Sequence, residues 1–330
     1  MGTLYACLGL TMDNFADRLL AATLDKGNPC IVGLDPRINE MPLFVNPGKS
    51  VAAERDEAAY YSIMAFHKCV IDTVANLVPG VKLQSAFFEQ YGLGGMRAFY
   101  DTMRYARNAG LIVIADAKRG DIGSTAAAYA SAFLGETEIN GDTWSTIDAD
   151  CLTVSPYLGI DSLMPFVDEC AARGRGIFVL AKTSNKGSAD IQDLRLESGE
   201  RVYERVAAMI NVLSEQAVGK EGYSSIGAVV GATFPEEARK LRELLPKSIL
   251  LVPGYGTQGG TAENAALCFD KNGTGAVVSA SRSITYGFES RSVSETRCVS
   301  EIRRRTEAMI TDINAAISYS RGTQPEYAED

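Results

Sequence analysis

The sequence predicts an α/β fold, a (β/α)8 TIM barrel with an extra N-terminal helix and loop insertions. Short apolar runs alternate with longer amphipathic segments along the whole chain, the pattern of βα units that feed a parallel sheet. The runs number eight, the count that closes a barrel. No G-x-G-x-x-G follows the first run, which counts against an open dinucleotide-binding sheet.

In order, a helical pattern at 12–26 precedes the first run and would cap the barrel floor. The predicted strands are Cys30–Leu34, Gly80–Leu83, Leu111–Ala115, Cys151–Val154, Gly176–Ala181, Ile226–Val230, Ile249–Val252 and Gly275–Ala280. Amphipathic segments at 52–78, 94–109, 124–134, 161–173, 200–217, 235–245, 261–269 and 295–318 fill the gaps as helices. No repeat, low-complexity tract or linker interrupts them, so 1–330 reads as one barrel domain. The surplus over the roughly 250 residues of a typical barrel falls in loops at 36–51, 135–148 and 183–199 and in both tails. The acidic, polar tail at 321–330, with Pro325, reads as disordered.

Hydrophobic content of 46% and charged content of 22% suit a soluble globular chain. The net charge of −9 disfavours nucleic acid and anionic membranes as partners, while leaving room for a local phosphate pocket. The seven cysteines (7, 30, 69, 151, 170, 268 and 298) are odd in number and lack CxxC spacing. They read as reduced thiols in a cytoplasmic protein rather than as disulfides or a zinc site. The single histidine, His67, excludes a histidine-based triad and reads as a helix-surface or packing residue. There is no basic n-region followed by an apolar core, and no run approaches membrane-spanning length. Ala6 stands where N-myristoylation wants Ser or Thr.

Polar chemistry gathers where strands end. The third run discharges into Asp116, Lys118, Arg119 and Asp121. Residues two apart on a strand share a face, so Asp116 and Lys118 point the same way from the carboxyl end, where such folds keep their active sites. Taken alone, these residues also fit a structural ion pair, with Asp121 as a helix cap ahead of Gly123. Elsewhere, Asp35 follows the first strand, Lys82 and Gln84 close the second, and Lys182-Thr183-Ser184-Asn185 the fifth. After the seventh comes Pro253-Gly254-Tyr255-Gly256-Thr257-Gln258-Gly259-Gly260, and after the eighth Ser281-Arg282. The glycine loop could be a mere turn. Its position, with an arginine at the next strand, matches the barrel phosphate site built from loops seven and eight.

Together these residues resemble the orotidine 5′-phosphate decarboxylase family. The hallmark Asp-x-Lys-x-x-Asp stands complete as Asp116-Ala117-Lys118-Arg119-Gly120-Asp121. Gly33-Leu34-Asp35, Lys82, Thr183-Ser184-Asn185, Pro253-Gly254-Tyr255-Gly256 and Arg282 match in strand order, and the long loops look like the longer-chain branch. The resemblance implies that orotidine 5′-phosphate (OMP) is decarboxylated to UMP in de novo pyrimidine biosynthesis, with no cofactor and no metal. It implies a catalytic array of Lys82, Asp116, Lys118 and Asp121, with Lys118 stabilising and protonating the C6 carbanion. Asp121 and Thr125 would come from the partner of a homodimer. Asp35 and Thr125 would hold the ribose, Ser184 the pyrimidine edge with Gln84 near the ring, and Gln258 and Arg282 the phosphate. Ile122, Gly256 and Ser281 complete the expected substrate contacts, and the 254–260 loop would act as a lid. Gln84 and the short lid depart most from the family pattern.

Three other functions fit the same barrel. A related phosphosugar enzyme would need Mg²⁺ at the Asp/Lys site. A Schiff-base aldolase would use Lys182 or Lys118. A non-catalytic nucleotide sensor would bind without turnover.

Overall fold

The computed structural model describes residues 13–46, 55–256 and 259–323. Its strands are β1 (Cys30–Gly33), β2 (Gly80–Gln84), β3 (Ile112–Arg119), β4 (Thr137–Ile139), β5 (Asp142–Trp144), β6 (Cys151–Val154), β7 (Gly176–Lys182), β8 (Ser224–Val230), β9 (Ser248–Val252) and β10 (Ala276–Ala280). Eight of them pair in parallel in the closed order β1-β10-β9-β8-β7-β6-β3-β2. β4 and β5 form a separate antiparallel hairpin within the 135–148 insertion. Each run read as a strand from the sequence is a barrel strand.

The barrel separates two apolar layers by strand parity. Val32, Val81, Leu83, Val113 and Ala115 face outward into the layer shared with the helices. Ile31, Ile112, Ile114, Cys151, Phe178, Val229 and Leu251 belong to a second cluster, inside the barrel. Parity therefore aims Lys82, Gln84 and Asp116 inward at the carboxyl end, directly above that inner stack. The N-terminal helix Phe15–Lys26, capped by the Asn14 side chain, closes the other end. Phe15 packs edge-on against Phe178 with ring centroids 6.0 Å apart. A Cβ at residue 176 would lie 2.1 Å from the Phe15 ring, so only glycine admits this plug.

Several boundaries differ from the sequence reading. β3 runs four residues further than expected, so Asp116 and Lys118 lie within the strand rather than beyond it. The predicted 52–78 helix is Arg55–Val74, a short helix Ser85–Glu89 follows β2, and the 261–269 segment is helical only over Ala262–Ala266. Arg321 to Thr323, expected to be disordered, continue the last helix, Glu295–Thr323. The rest of that tail, Cys7 and the start of the predicted 52–78 helix lie outside the described residues. His67 is fully buried between Phe66 and Phe88, a packing residue rather than a surface one. Six cysteines are described, and all are free thiols.

Candidate active site

The inner stack stops one layer below the carboxyl rim, and charged residues take over. The buried Asp116 carboxylate accepts four hydrogen bonds. Its Oδ2 takes Lys82 Nζ at 2.7 Å and Gln84 Nε2 at 3.1 Å. Its Oδ1 takes Lys118 Nζ at 2.6 Å and Thr153 Oγ1 at 3.0 Å. Burial by itself would raise the Asp116 carboxyl, but the two ammonium groups outweigh it and hold the group well below the usual carboxylate range. Burial likewise opposes the charged form of Lys82, yet Asp116 and Asp35 lift the ammonium above its ordinary value. Asp116 is thus ionised and Lys82 protonated at neutral pH.

Lys118 joins this pair through an irregular backbone. Between Ala115 and Arg119, four steps of β3 span only two of β6, from Leu152 to Val154. Inside that bulge Lys118 adopts φ +48°, a left-handed conformation that costs a non-glycine residue about 1 kcal/mol or more. Its amide donates to Thr153 Oγ1 at 2.9 Å, so one threonine fixes both the backbone of Lys118 and the carboxylate it faces. Lys82 is 9% exposed at the side chain and Lys118 44%, so Lys118 is the cation that faces outward.

The array opens into a cavity of about 670 Å³ lined by Asp35, Lys82, Gln84, Asp116, Lys118, Leu180, Thr183, Ser184, Asn185 and Pro253 among others. Among the described residues Asp35 Oδ1 is buried with no hydrogen-bond partner, a polar atom on a cavity wall with capacity to spare. Ser281 Oγ is also buried without a partner, while Arg282 is exposed at the start of a short helical turn, Arg282–Thr285. Gly256 sits at φ +77° and its amide donates to the Gly260 carbonyl, which curls the glycine loop back on itself. The loop is tied to the last helix by Tyr255 Oη, which donates to Asp312 Oδ2 at 2.6 Å. Gln258 lies outside the described residues.

One protomer does not bring every expected residue together. Asp121 Oδ1 accepts from the Ile122 amide at 2.8 Å, and neither lysine of the array is its hydrogen-bond partner. Ile122 and Thr125 are exposed on the rim. Gln84, expected near a ligand ring, lines the cavity and is engaged with Asp116 and with the Ala86 amide. Thr153 was not anticipated from sequence. The available signal was parity, since it is the polar residue of the run Cys151-Leu152-Thr153-Val154 and shares the inward face of Cys151. Among the described residues, no three His, Cys, Asp or Glu side chains gather in metal-binding geometry, and no helix is long and apolar enough to cross a membrane.

Known proteins resemble this chain in sequence and in fold. A sequence profile of the orotidine 5′-phosphate decarboxylase / HUMPS family matches residues 49–292. The chain is 48% identical over 275 residues to orotidine 5′-phosphate decarboxylase of Rhodopirellula baltica, covering 83% of this chain and 89% of that one. With the Caldicellulosiruptor saccharolyticus enzyme of the same name it is 41% identical over 308 residues, covering 93% of this chain and all of that one. The structure of Leishmania donovani OMP decarboxylase matches with a TM-score of 0.69 at 29% identity, covering 92% of this chain and 99% of that one. On its sequence and its barrel, the chain belongs to the orotidine 5′-phosphate decarboxylase / HUMPS family.

Proposed function

We propose that this protein decarboxylates orotidine 5′-phosphate to UMP and carbon dioxide in pyrimidine biosynthesis, without a cofactor or metal. We further propose that it works in the cytoplasm as a homodimer of one-domain (β/α)8 barrels over residues 1–330. The observation that carries the reading is the Asp116 carboxylate held between Lys82 and Lys118 at the mouth of the cavity.

The C6 carboxylate of the substrate would lie against Asp116, with C6 beside Lys118. When the C6–carboxylate bond breaks, carbon dioxide leaves and the electron pair stays on C6, with no conjugated sink. Lys118 then gives C6 a proton and is reprotonated from solvent. Two unit charges about 4 Å apart interact by about 4 kcal/mol at an effective dielectric near 20. Relief of repulsion against Asp116 therefore supplies only a few kcal/mol of the roughly 8–23 kcal/mol by which enzymes lower barriers. The larger share falls to the preorganised Lys118 ammonium, which meets a charge present only in the transition state. Its fixed hydrogen bond to Asp116 and its pinned backbone amide support that role.

Asp35, with its unpaired buried oxygen, suits a ribose hydroxyl. Ser184 would read the pyrimidine edge, and Arg282 with Gln258 the phosphate, with Gly256, Ser281 and Ile122 as further substrate contacts. Closure of the 254–260 loop would turn that remote binding into rate. Asp121 and Thr125 would act in the partner's site. Exposed Ile122 supports an interface here, together with Tyr157, 81% exposed on the neighbouring loop after β6.

The deciding assay follows OMP absorbance with purified protein, with and without EDTA. EDTA-insensitive loss of OMP with UMP as product is expected. Turnover that needs Mg²⁺ points to the metal-dependent phosphosugar branch, and binding of UMP without turnover points to a nucleotide sensor.

A further inference from the structure

At the end of β7 the strand departs from regular pairing. Leu180 stands opposite Val229, but Lys182, two residues on, stands opposite Val230, one residue on. Regular alternation would aim Lys182 inward with Leu180. The bulge turns it away, to a fully buried position between Tyr203 and Phe234, with its Nζ 5.8 Å and 4.6 Å from the two ring centroids. There Nζ donates to Asp193 Oδ1 at 2.7 Å, and Arg201 lies 3.5 Å from the same oxygen. A buried ammonium of this kind does not face the cavity, which removes Lys182 as a Schiff-base nucleophile.

Asp193 and its neighbour Gln192 belong to the 183–199 insertion, at the end of a short turn of helix, Ala189–Gln192. Gln192 grips the residue after the buried lysine at two points. Its Oε1 accepts from the Thr183 amide at 3.0 Å, and its Nε2 donates to Thr183 Oγ1 at 2.8 Å. Thr183 Oγ1 in turn donates to Asn185 Oδ1 at 2.7 Å. From the other side, Thr233 Oγ1 donates to the Ser184 carbonyl at 3.2 Å, and a Cβ at residue 231 would lie 2.8 Å from Ser184 Cα. Thr183, Ser184 and Asn185 form one wall of the cavity that holds Lys82, Asp116 and Lys118. Gln192 and Asp193, later in the insertion, thus hold the wall at its start without themselves lining the cavity.

We propose that Gln192 and Asp193 are positioning residues for the pyrimidine subsite, locking the Thr183–Ser184–Asn185 wall at the spacing a pyrimidine edge requires. Asp193 acts through Lys182, and Gln192 through Thr183. The inference rests on the decarboxylase reading above and assigns the 183–199 insertion a task within it.

The test compares two ligands that share a ribose phosphate and differ in the base. UMP and ribose 5-phosphate are titrated into wild type, Gln192→Ala and the paired variant Lys182→Met/Asp193→Leu. The paired variant removes the buried ammonium and the half-buried carboxylate it faces together, so neither is left without the other. In both variants the Kd for UMP is expected to rise about tenfold, a loss of about 1.4 kcal/mol, while that for ribose 5-phosphate stays unchanged. Gln192→Glu, which keeps the acceptor for the Thr183 amide, is expected to recover part of the UMP affinity. Unchanged UMP affinity in Gln192→Ala overturns the proposal. So does equal weakening of both ligands, the signature of a purely structural role. A wild-type protein that ignores OMP and UMP alike fails the functional reading itself, before any variant is made.

Discussion

Lys118 reaches the Asp116 carboxylate at 2.6 Å from only two residues away, and it does so from a left-handed backbone within a bulge. An extended strand would also set the two side chains on one face, but both would project into the barrel in parallel. The bulge folds the lysine back over the carboxylate. The strain is held locally by the Thr153 hydroxyl, which accepts from the Lys118 amide.

Lys118→Ala is expected to abolish turnover while leaving UMP binding intact. The measurement is kcat for OMP beside a UMP titration. A variant that keeps more than about a tenth of wild-type kcat, a barrier change of only about 1.4 kcal/mol, would falsify the role assigned to this lysine.

Thr153→Val keeps the side-chain shape and removes both hydrogen bonds. A hydrogen bond to a charged group contributes about 1.5–3 kcal/mol, so kcat should fall at least about tenfold in a protein that still folds. Wild-type kcat in this variant would mean that the bulge holds Lys118 without the threonine.

Tyr255→Phe releases the glycine loop from Asp312 on the last helix. KM for OMP should rise about five- to tenfold, as for the loss of one charge-assisted hydrogen bond, with a much smaller change in kcat. Asp312→Asn, which keeps an acceptor, should lie between the two. Equal KM values in all three proteins would detach this contact from phosphate binding.

Asp121 and Lys118 should complement each other across a dimer. Mixed and re-associated Asp121→Ala and Lys118→Ala proteins, each inactive alone, should regain about a quarter of wild-type activity. Half of the random dimers would be mixed, each with one intact site. Continued inactivity of a verified mixed dimer places Asp121 in its own protomer's site.

His67 sets an acid limit on stability. Burial pushes the imidazole down to about 3, from an ordinary 6.5, and among the described residues neither ring nitrogen has a hydrogen-bond partner. The unfolded chain therefore binds the extra proton first as pH falls. The stability this group confers is full above about pH 6.5 and declines toward pH 3, by up to about 1.4 kcal/mol per pH unit. Chemical denaturation of His67→Leu across that range should show a flatter profile than wild type, and parallel profiles would reject the assignment.

The barrel was readable because each strand is an apolar run bounded by polar residues, so composition alone marks it. The Asp116–Lys118 pair was readable because residues two apart on a strand share a face. The bulge that completes it was not, since a left-handed lysine leaves no signal in residue type. The hairpin of β4 and β5 did leave one. Asn140-Gly141, at φ +56° and +89°, is the two-residue turn such hairpins favour, but strands of three residues fall below the length at which alternation can be recognised. Gln192 and Asp193 were hidden for another reason. Their contacts run to Thr183 and Lys182, some ten residues away through a loop, and only the folded chain brings them together.

The Phe15 plug has a consequence for protons. It closes the barrel beneath the array, and the stack between them is apolar save for the Cys151 thiol and the Tyr223 hydroxyl, both of which burial holds in their protonated forms. Among the described residues the mouth is then the array's open route to bulk water, and on the proposed function a nucleotide seated there would block it. On the proposed chemistry, the ammonium spent on C6 is restored only after UMP departs. On that reading each catalytic cycle would start with a single proton loaded in advance, and reloading would belong to product release rather than to bond cleavage.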